Sequence, residues 1–259
     1  TKAAIADHHR RFPPRVTRVG QELPPYTGHW TSMRPVCSQG SRLTCVGFGV
    51  SALREYKFWC DHDHDAHSVD IISLSEEFIY YYAKKLDGKP TVDGTTLFAG
   101  ITALAQYGQC LEETLPYDPT PPTNHRDVIT QAMLSEAKGY LSQAVYYSDP
   151  TDVTAMKTAL AYTPANVAFC IPVYDSWRKS PTVAHSGQIT MPLLNEKSVG
   201  GHCMCMVGYH DDPCFPSGGV FIARNSWGMN WADANYFSPG HATLPYSYIA
   251  NYCTEAASY

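Results

Sequence analysis

Four side chains stand along this sequence in an order that suits acyl transfer: Gln39, Cys45, His202 and Asn225. An ordinary thiol has a pKa near 8.5, so little thiolate exists at neutral pH. A helix N-terminus and a neighbouring imidazolium both favour the thiolate. Cys45 is the cysteine best placed for the first effect, because it opens an apolar, helix-periodic stretch directly after Thr44, whose hydroxyl can cap an early N–H. The other eight cysteines fall mid-strand, in loops or near the chain ends. The run Gln39-Gly40-Ser41-Arg42-Leu43-Thr44-Cys45 leads a loop into that helix. The Cys45 N–H and the Gln39 amide are then able to converge on an oxyanion, and losing one such donor costs roughly 10²–10³ in rate. Gly200-Gly201-His202 opens a strand whose small residues let a substrate backbone approach the imidazole. Asn225, in Arg224-Asn225-Ser226-Trp227-Gly228, ends the next strand and would fix the imidazole tautomer, with Trp227 keeping water off the bond.

The elements that must hold these groups are legible in part. The spacing predicts a helix from Thr44 to Trp59, apolar over most of its girth and therefore buried. Gly47 and Gly49 weaken it by about 0.5–1 kcal/mol each, which implies close backbone packing against a neighbour. A second helix is expected over Leu74–Leu86, with a capping box at Ser73-Leu74-Ser75-Glu76 and a stop at Asp87-Gly88. A third runs from about Thr96 to Tyr107 and closes at Gly108. Leu115–Pro122 carries four prolines and must be an extended connection. Further helices are expected near Asp127–Tyr140 and Asp152–Tyr162. Val167–Val173, His202–Tyr209 and Gly219–Arg224 read as strands. The first half is helical and the second strand-rich, which points to an α+β fold of two lobes with a cleft between them. The expected division is an extended arm over 1–30, a mainly helical lobe over 31–118 and a strand-rich lobe over 119–259.

Composition narrows the function classes. The chain has 259 residues, 44% hydrophobic and 17% charged, with a formal charge of −5. That composition fits a globular core, and the absence of a basic excess argues against a nucleic-acid partner. No apolar run approaches the ~18 residues of a membrane span. Thr1–Arg15 mixes charge, His and Pro and does not read as a signal peptide. Nine cysteines leave at least one unpaired, and several sit in apolar segments, so mostly free thiols in a reducing compartment are expected. Secretion after processing stays open, as does the oligomeric state. Cys203-Met204-Cys205 has spacing unlike zinc-binding pairs and reads as strand packing. His62-Asp63-His64-Asp65-Ala66-His67 has metal-ligand residue types, but it is short and has no second cluster. No metal and no cofactor are expected.

The series Gln39…Cys45…His202…Asn225-Ser226-Trp227-Gly228 resembles the papain-like cysteine peptidase family. Leu74-Ser75-Glu76-Glu77-Phe78, Asp93-Gly94-Thr95-Thr96-Leu97, Tyr107-Gly108-Gln109-Cys110, Val207-Gly208-Tyr209 and Leu244-Pro245-Tyr246 extend the likeness, in order, to the bacterial branch of that family. The resemblance implies a helical lobe carrying the nucleophile, a β-barrel-like lobe carrying the His–Asn pair, and a peptide or protein substrate lying across the groove. It implies catalytic roles for Cys45, His202, Asn225 and Gln39, and substrate contacts for Gly94, Thr95, Gly201 and Trp227.

The sequence departs from the family at defined places. Leu43-Thr44-Cys45-Val46 replaces the usual Gly-Ser-Cys-Trp, and Arg42 replaces a disulfide-forming Cys. Thr95 replaces one of two glycines that line the groove. His202 lies 157 residues beyond Cys45, more than the roughly 130–150 usual for papain-type enzymes, so insertions are expected. Only 44 residues precede Cys45, short for the family's usual inhibitory prosegment. The leading expectation is peptide-bond hydrolysis through a thioester. The altered groove keeps two alternatives open, an amide-forming acyltransferase or transpeptidase and a non-catalytic binding domain on the same fold.

Overall fold

Helix α1, Cys45–Asp61, is buried along nearly its whole first three turns, from Val46 to Tyr56. Its two glycines explain how it is seated. A Cβ on Gly47 would stand 2.8 Å from the Glu76 carbonyl oxygen, and one on Gly49 would stand 2.7 Å from Cys203 Sγ. Helix and sheet therefore approach α1 from two sides at backbone distance. The computed structural model describes residues 22–62, 71–89, 91–120, 129–163 and 165–259.

Thr44 occupies the N-cap position of α1, but its hydroxyl makes no capping bond. Its ψ of 13° departs from the extended geometry a cap requires, and the hydroxyl pairs instead with Tyr117 Oη at 2.7 Å. Helix α2, Glu76–Asp87, likewise starts differently from the expected capping box. Leu74 forms a β-bridge with Leu111, and the Ser73 carbonyl accepts from Glu112 N. That holds 73–74 extended, so Ser75 becomes the cap and its Oγ accepts from Phe78 N at 3.0 Å. Gly88 closes α2 in the left-handed conformation. Helix α3, Leu97–Tyr107, is capped by Thr96 through Ala99 N at 3.2 Å. Helix α4 spans Gln131–Ala137, shorter than expected, and a 3₁₀ turn covers Lys138–Tyr140. Part of that expectation, 127–128, lies outside the described residues. Helix α5, Val153–Tyr162, lies where a helix is expected, and Asp152 caps it through Ala155 N.

The strands are β1 Tyr26–Gly28, β2 Val145–Tyr146, β3 Val167–Tyr174, β4 Ser198–Asp211, β5 Gly219–Arg224, β6 His241–Pro245 and β7 Glu255–Ser258. All pair antiparallel, in the order β2-β7-β3-β4-β5-β6, with β1 also on β4. Two short helices, α6 Ser176–Lys179 and α7 Pro181–Ser186, lie between β3 and β4, and α8, Tyr246–Tyr252, follows β6.

Strand β4 divides two cores. Cys203, Cys205 and Val207 join Val50, Leu53, Phe78, Ile101 and Leu104 on the helical side. Met204, Met206 and Tyr209 join Phe169, Phe221 and Tyr248 on the other. Strict alternation would put Tyr209 with the odd-numbered residues. A register shift against β5 between Met206 and Gly208 moves it to the even face. The architecture is thus α+β, with α1–α3 on one face of the sheet and a second core on the opposite face.

Candidate active site

The first four residues of β4, Ser198 to Gly201, are exposed although the strand there pairs with β3, and His202 is a buried residue only 5% exposed. Its Nε2–H donates to Asn225 Oδ1 at 2.7 Å. That bond fixes the tautomer and leaves Nδ1 as the basic nitrogen. Trp227 stacks on the imidazole, ring centroids 4.9 Å apart and planes 29° apart. Asn225 Oδ1 also accepts from Ser226 N at 2.8 Å, so the amide oxygen is held from two sides.

The backbone N–H groups of Cys203, Val46 and Cys45 itself act on the Cys45 sulfur in the direction that favours its thiolate. Two of these belong to the first turn of α1. The third belongs to the residue that follows His202, so the helix mouth and the His202 strand meet at the sulfur. Burial pushes the Cys45 thiol up to about 11, against the pull of those N–H groups and with a smaller upward push from Cys170. Burial also lowers His202 to about 4; the Asn225 bond opposes this and the charge of Arg178 adds to it. Burial thus disfavours the charged form of each group taken alone.

Gln39 is buried and clamped. Its Nε2 donates one hydrogen to Arg42 O at 2.6 Å, its Oε1 accepts from Ser226 Oγ at 2.6 Å, and its backbone N–H donates to Ser226 O at 2.8 Å. Among the described residues the second Nε2 hydrogen has no acceptor. Ser38 bridges to Trp227, Gly228 N donates to Cys37 O, and Arg224 donates to the carbonyls of Arg34 and Pro35 at 2.6 and 2.7 Å. The loop bearing Gln39 is thereby laced to the segment bearing Asn225.

Arg42 stands where the resembled family has a disulfide, and an ion pair takes that place. Its guanidinium binds both carboxylate oxygens of Glu77 on α2, one at 2.9 Å, and donates to Asp118 O at 2.6 Å. It also lies 5.0 Å from the Tyr117 ring centroid. Tyr117 Oη in turn donates to Gln39 O at 2.8 Å. All nine cysteines are free thiols.

On the groove floor, Gly94 N donates to Tyr80 Oη at 3.0 Å and Gly94 O accepts from Lys84 Nζ at 2.7 Å. Gly94 has φ +80°, a conformation that favours glycine. The Thr95 hydroxyl donates to Asp87 Oδ2 at 2.7 Å. Among the described residues no group of three or more His, Cys, Asp or Glu is arranged to hold a metal ion. Residues 63–67 of the His-Asp loop lie outside the described residues, and the His62 ring bonds to Phe58 O at 2.8 Å. Among the described residues no helix is long and apolar enough to cross a membrane.

Sequence reasoning missed three contributors. Ser226 was visible only as part of a motif, and its double grip on Gln39 needs the fold. Tyr117 lies in a Pro-rich connection with no periodicity. Arg178 sits in the stretch 175–190, whose helices of four and six residues carry too few turns for an amphipathic signal.

Residues 30–254 match the family described as Papain family cysteine protease. An uncharacterized peptidase C1-like protein of Acanthamoeba polyphaga mimivirus is 28% identical over 194 residues, covering 71% of this chain and 57% of the viral protein. A cathepsin B-like protein of Giardia intestinalis is 30% identical over 138 residues, covering 52% of this chain and 42% of its own length. The chain thus spans about half the length of these curated relatives. Xylellain, a cysteine protease from Xylella fastidiosa, superposes with a TM-score of 0.76 at 25% identity over 100% of this chain and 88% of its own. A digestive procathepsin L of Tenebrio molitor gives a TM-score of 0.68 at 19% identity, over 95% of this chain and 72% of its own, a likeness of fold alone. The two cores, the sulfur at the junction of α1 and β4, and a family match over most of the sequence lead to one assignment: the chain belongs to the papain family of cysteine proteases and has the papain-like fold.

Proposed function

We propose that this chain is a cysteine peptidase that hydrolyses peptide bonds through a thioester on Cys45, with His202 and Asn225 completing a triad and Gln39 assisting the oxyanion. Two features at β4 support this reading: the hydrogen bond from His202 Nε2–H to Asn225 Oδ1, and the pull of the Cys203 N–H on the Cys45 sulfur. The first frees Nδ1 to take the thiol proton. The second sets the sulfur against the residue that follows His202.

In the acylation step Sγ gives its proton to Nδ1 and attacks the scissile carbonyl carbon. The carbonyl electrons move to oxygen, which the second Nε2 hydrogen of Gln39 and the Cys45 N–H receive. Collapse expels the amine, which takes the proton from imidazolium, and a thioester remains. Water then gives a proton to His202 and attacks the thioester, and the proton returns to sulfur as the acid leaves. Asn225 keeps one tautomer throughout, while the Trp227 face excludes water from the His–Asn bond. We read Gly94, Thr95 and Gly201 as groove residues, Thr95 supplying backbone groups because those of Gly94 are engaged internally. The two lobes divide at 31–118 and 119–259 in this reading. A place in the bacterial branch is supported by the likeness to xylellain.

The test is a peptide-library digest read by mass spectrometry with wild type and Cys45→Ala. Cleavage by wild type and none by the variant is expected; equal cleavage by both would remove Cys45 from the mechanism.

A further inference from the structure

The leaving-group end of the groove carries an unpartnered cation. Arg178 lies on α6, in the segment between β3 and β4. Its guanidinium sits 5.3 Å from the centroid of Trp227, the ring that stacks at 4.9 Å on His202. Guanidinium and imidazole are thus within about 10 Å of each other. The side chain is exposed, and among the described residues it has no ion pair and no hydrogen bond. The carboxylates around it are taken. Asp175 pairs with Lys179 at 2.7 Å, Glu196 accepts from Ser176 N and Leu193 N at 2.8 and 3.0 Å, and Asp233 pairs with His185 at 2.7 Å. Stacking on an indole face preorganises a guanidinium while leaving its in-plane N–H fork open, which suits bidentate capture of a carboxylate.

The chemistry fixes which end of the substrate meets it. His202 must protonate the leaving nitrogen, so the segment after the scissile bond passes over the imidazole and on across Trp227. An extended chain advances about 3.3–3.6 Å per residue. Ten ångströms, less one hydrogen-bond length, is about two residues.

Resting on the peptidase reading above, we propose that Arg178 is a specificity residue that binds a carboxylate on the first two residues after the scissile bond. Two sources share that chemistry, an acidic side chain and the free C-terminus of a short leaving segment.

The experiment measures kcat/KM for matched quenched peptides that differ only on the leaving side: Glu against Gln at the second position, and a free C-terminal carboxylate against its amide two residues after the bond. Wild type is expected to prefer the carboxylate of at least one pair by roughly 5-fold, an advantage that shrinks as salt is raised. Arg178→Ala should bring the ratio to one, and Arg178→Glu should invert it and favour Lys at that position. A general loss of fold would lower both members of a pair and leave their ratio unchanged. The pair that responds identifies the source. Ratios near one in wild type, or ratios unchanged by Arg178→Ala, would overturn the role of Arg178 while leaving the peptidase reading intact. Cleavage of no peptide by wild type would overturn that reading, and this one with it.

Discussion

The two walls of the groove hold their reactive groups by different means. The Cys45 wall is polar and laced. Gln39 is gripped by Ser226 and Arg42, the Arg42–Glu77 ion pair ties the loop to α2, and backbone N–H groups surround the sulfur. The His202 wall is a strand faced with aromatic rings, with one amide fixing the imidazole, Trp227 stacked on it, and Trp177 and Trp231 edge-on against Trp227. In the proposed mechanism the laced wall fixes donor directions for the charge that appears on oxygen, and the aromatic wall lowers the local dielectric around the proton that moves. Both strategies disfavour isolated charges, which is why burial raises Cys45 and lowers His202 together.

Breaking either wall should have consequences of distinct size. Cys45→Ala removes the nucleophile, and turnover is expected to fall to background in a fluorogenic assay. His202→Ala leaves the sulfur without a proton acceptor and should lower kcat by roughly 10²–10⁴. Gln39→Ala removes one oxyanion donor and should cost roughly 10²–10³ in kcat with a smaller change in KM. A loss carried mainly by KM would move Gln39 from transition-state to ground-state binding. Arg42→Ala tests the lacing. It removes the guanidinium that binds the buried Glu77 carboxylate and should lower stability by about 3 kcal/mol, read by denaturant unfolding. An unchanged midpoint would mean that the ion pair does not substitute for the missing disulfide.

The smallest effect concerns the charges beneath the laced wall. Burial, then Glu55 and Glu112, raises Glu76 well above the usual carboxylate range, and Arg34 opposes. For a carboxyl whose folded value exceeds its unfolded one, stability is fully present below the unfolded value and declines as pH rises through the folded one. Glu76→Gln keeps a neutral donor, so it should melt higher than wild type at pH 8 and equally at pH 4. The opposite order would mean that Glu76 is held ionised by Arg34.

Much of this was legible in the sequence because long periodic segments and chemically distinctive spacings survive without coordinates. The helices at Cys45–Asp61 and Leu97–Tyr107 and the strand Gly219–Arg224 follow from apolar period and glycine stops. The close approach at Gly47 and Gly49 followed from their cost in a buried helix. Start signals failed where tertiary contacts outweighed them, as when Tyr117 drew the Thr44 hydroxyl and the Leu74–Leu111 bridge delayed α2. Strands β2 and β7 have two and four residues, too few to alternate visibly. Arg178 was invisible because its meaning comes from a stack on a residue 49 positions away.

The central claim is that Cys45 ionises only by handing its proton to His202. Its most direct measurement is the rate at which an epoxide alkylates Cys45, followed by mass spectrometry across pH in wild type and His202→Ala. Wild type should be modified at Cys45 ahead of the other eight thiols near neutral pH. The variant should react slowly until the pH approaches about 11, where the buried thiol titrates alone. Equal rates for the two proteins at pH 7 would contradict the account.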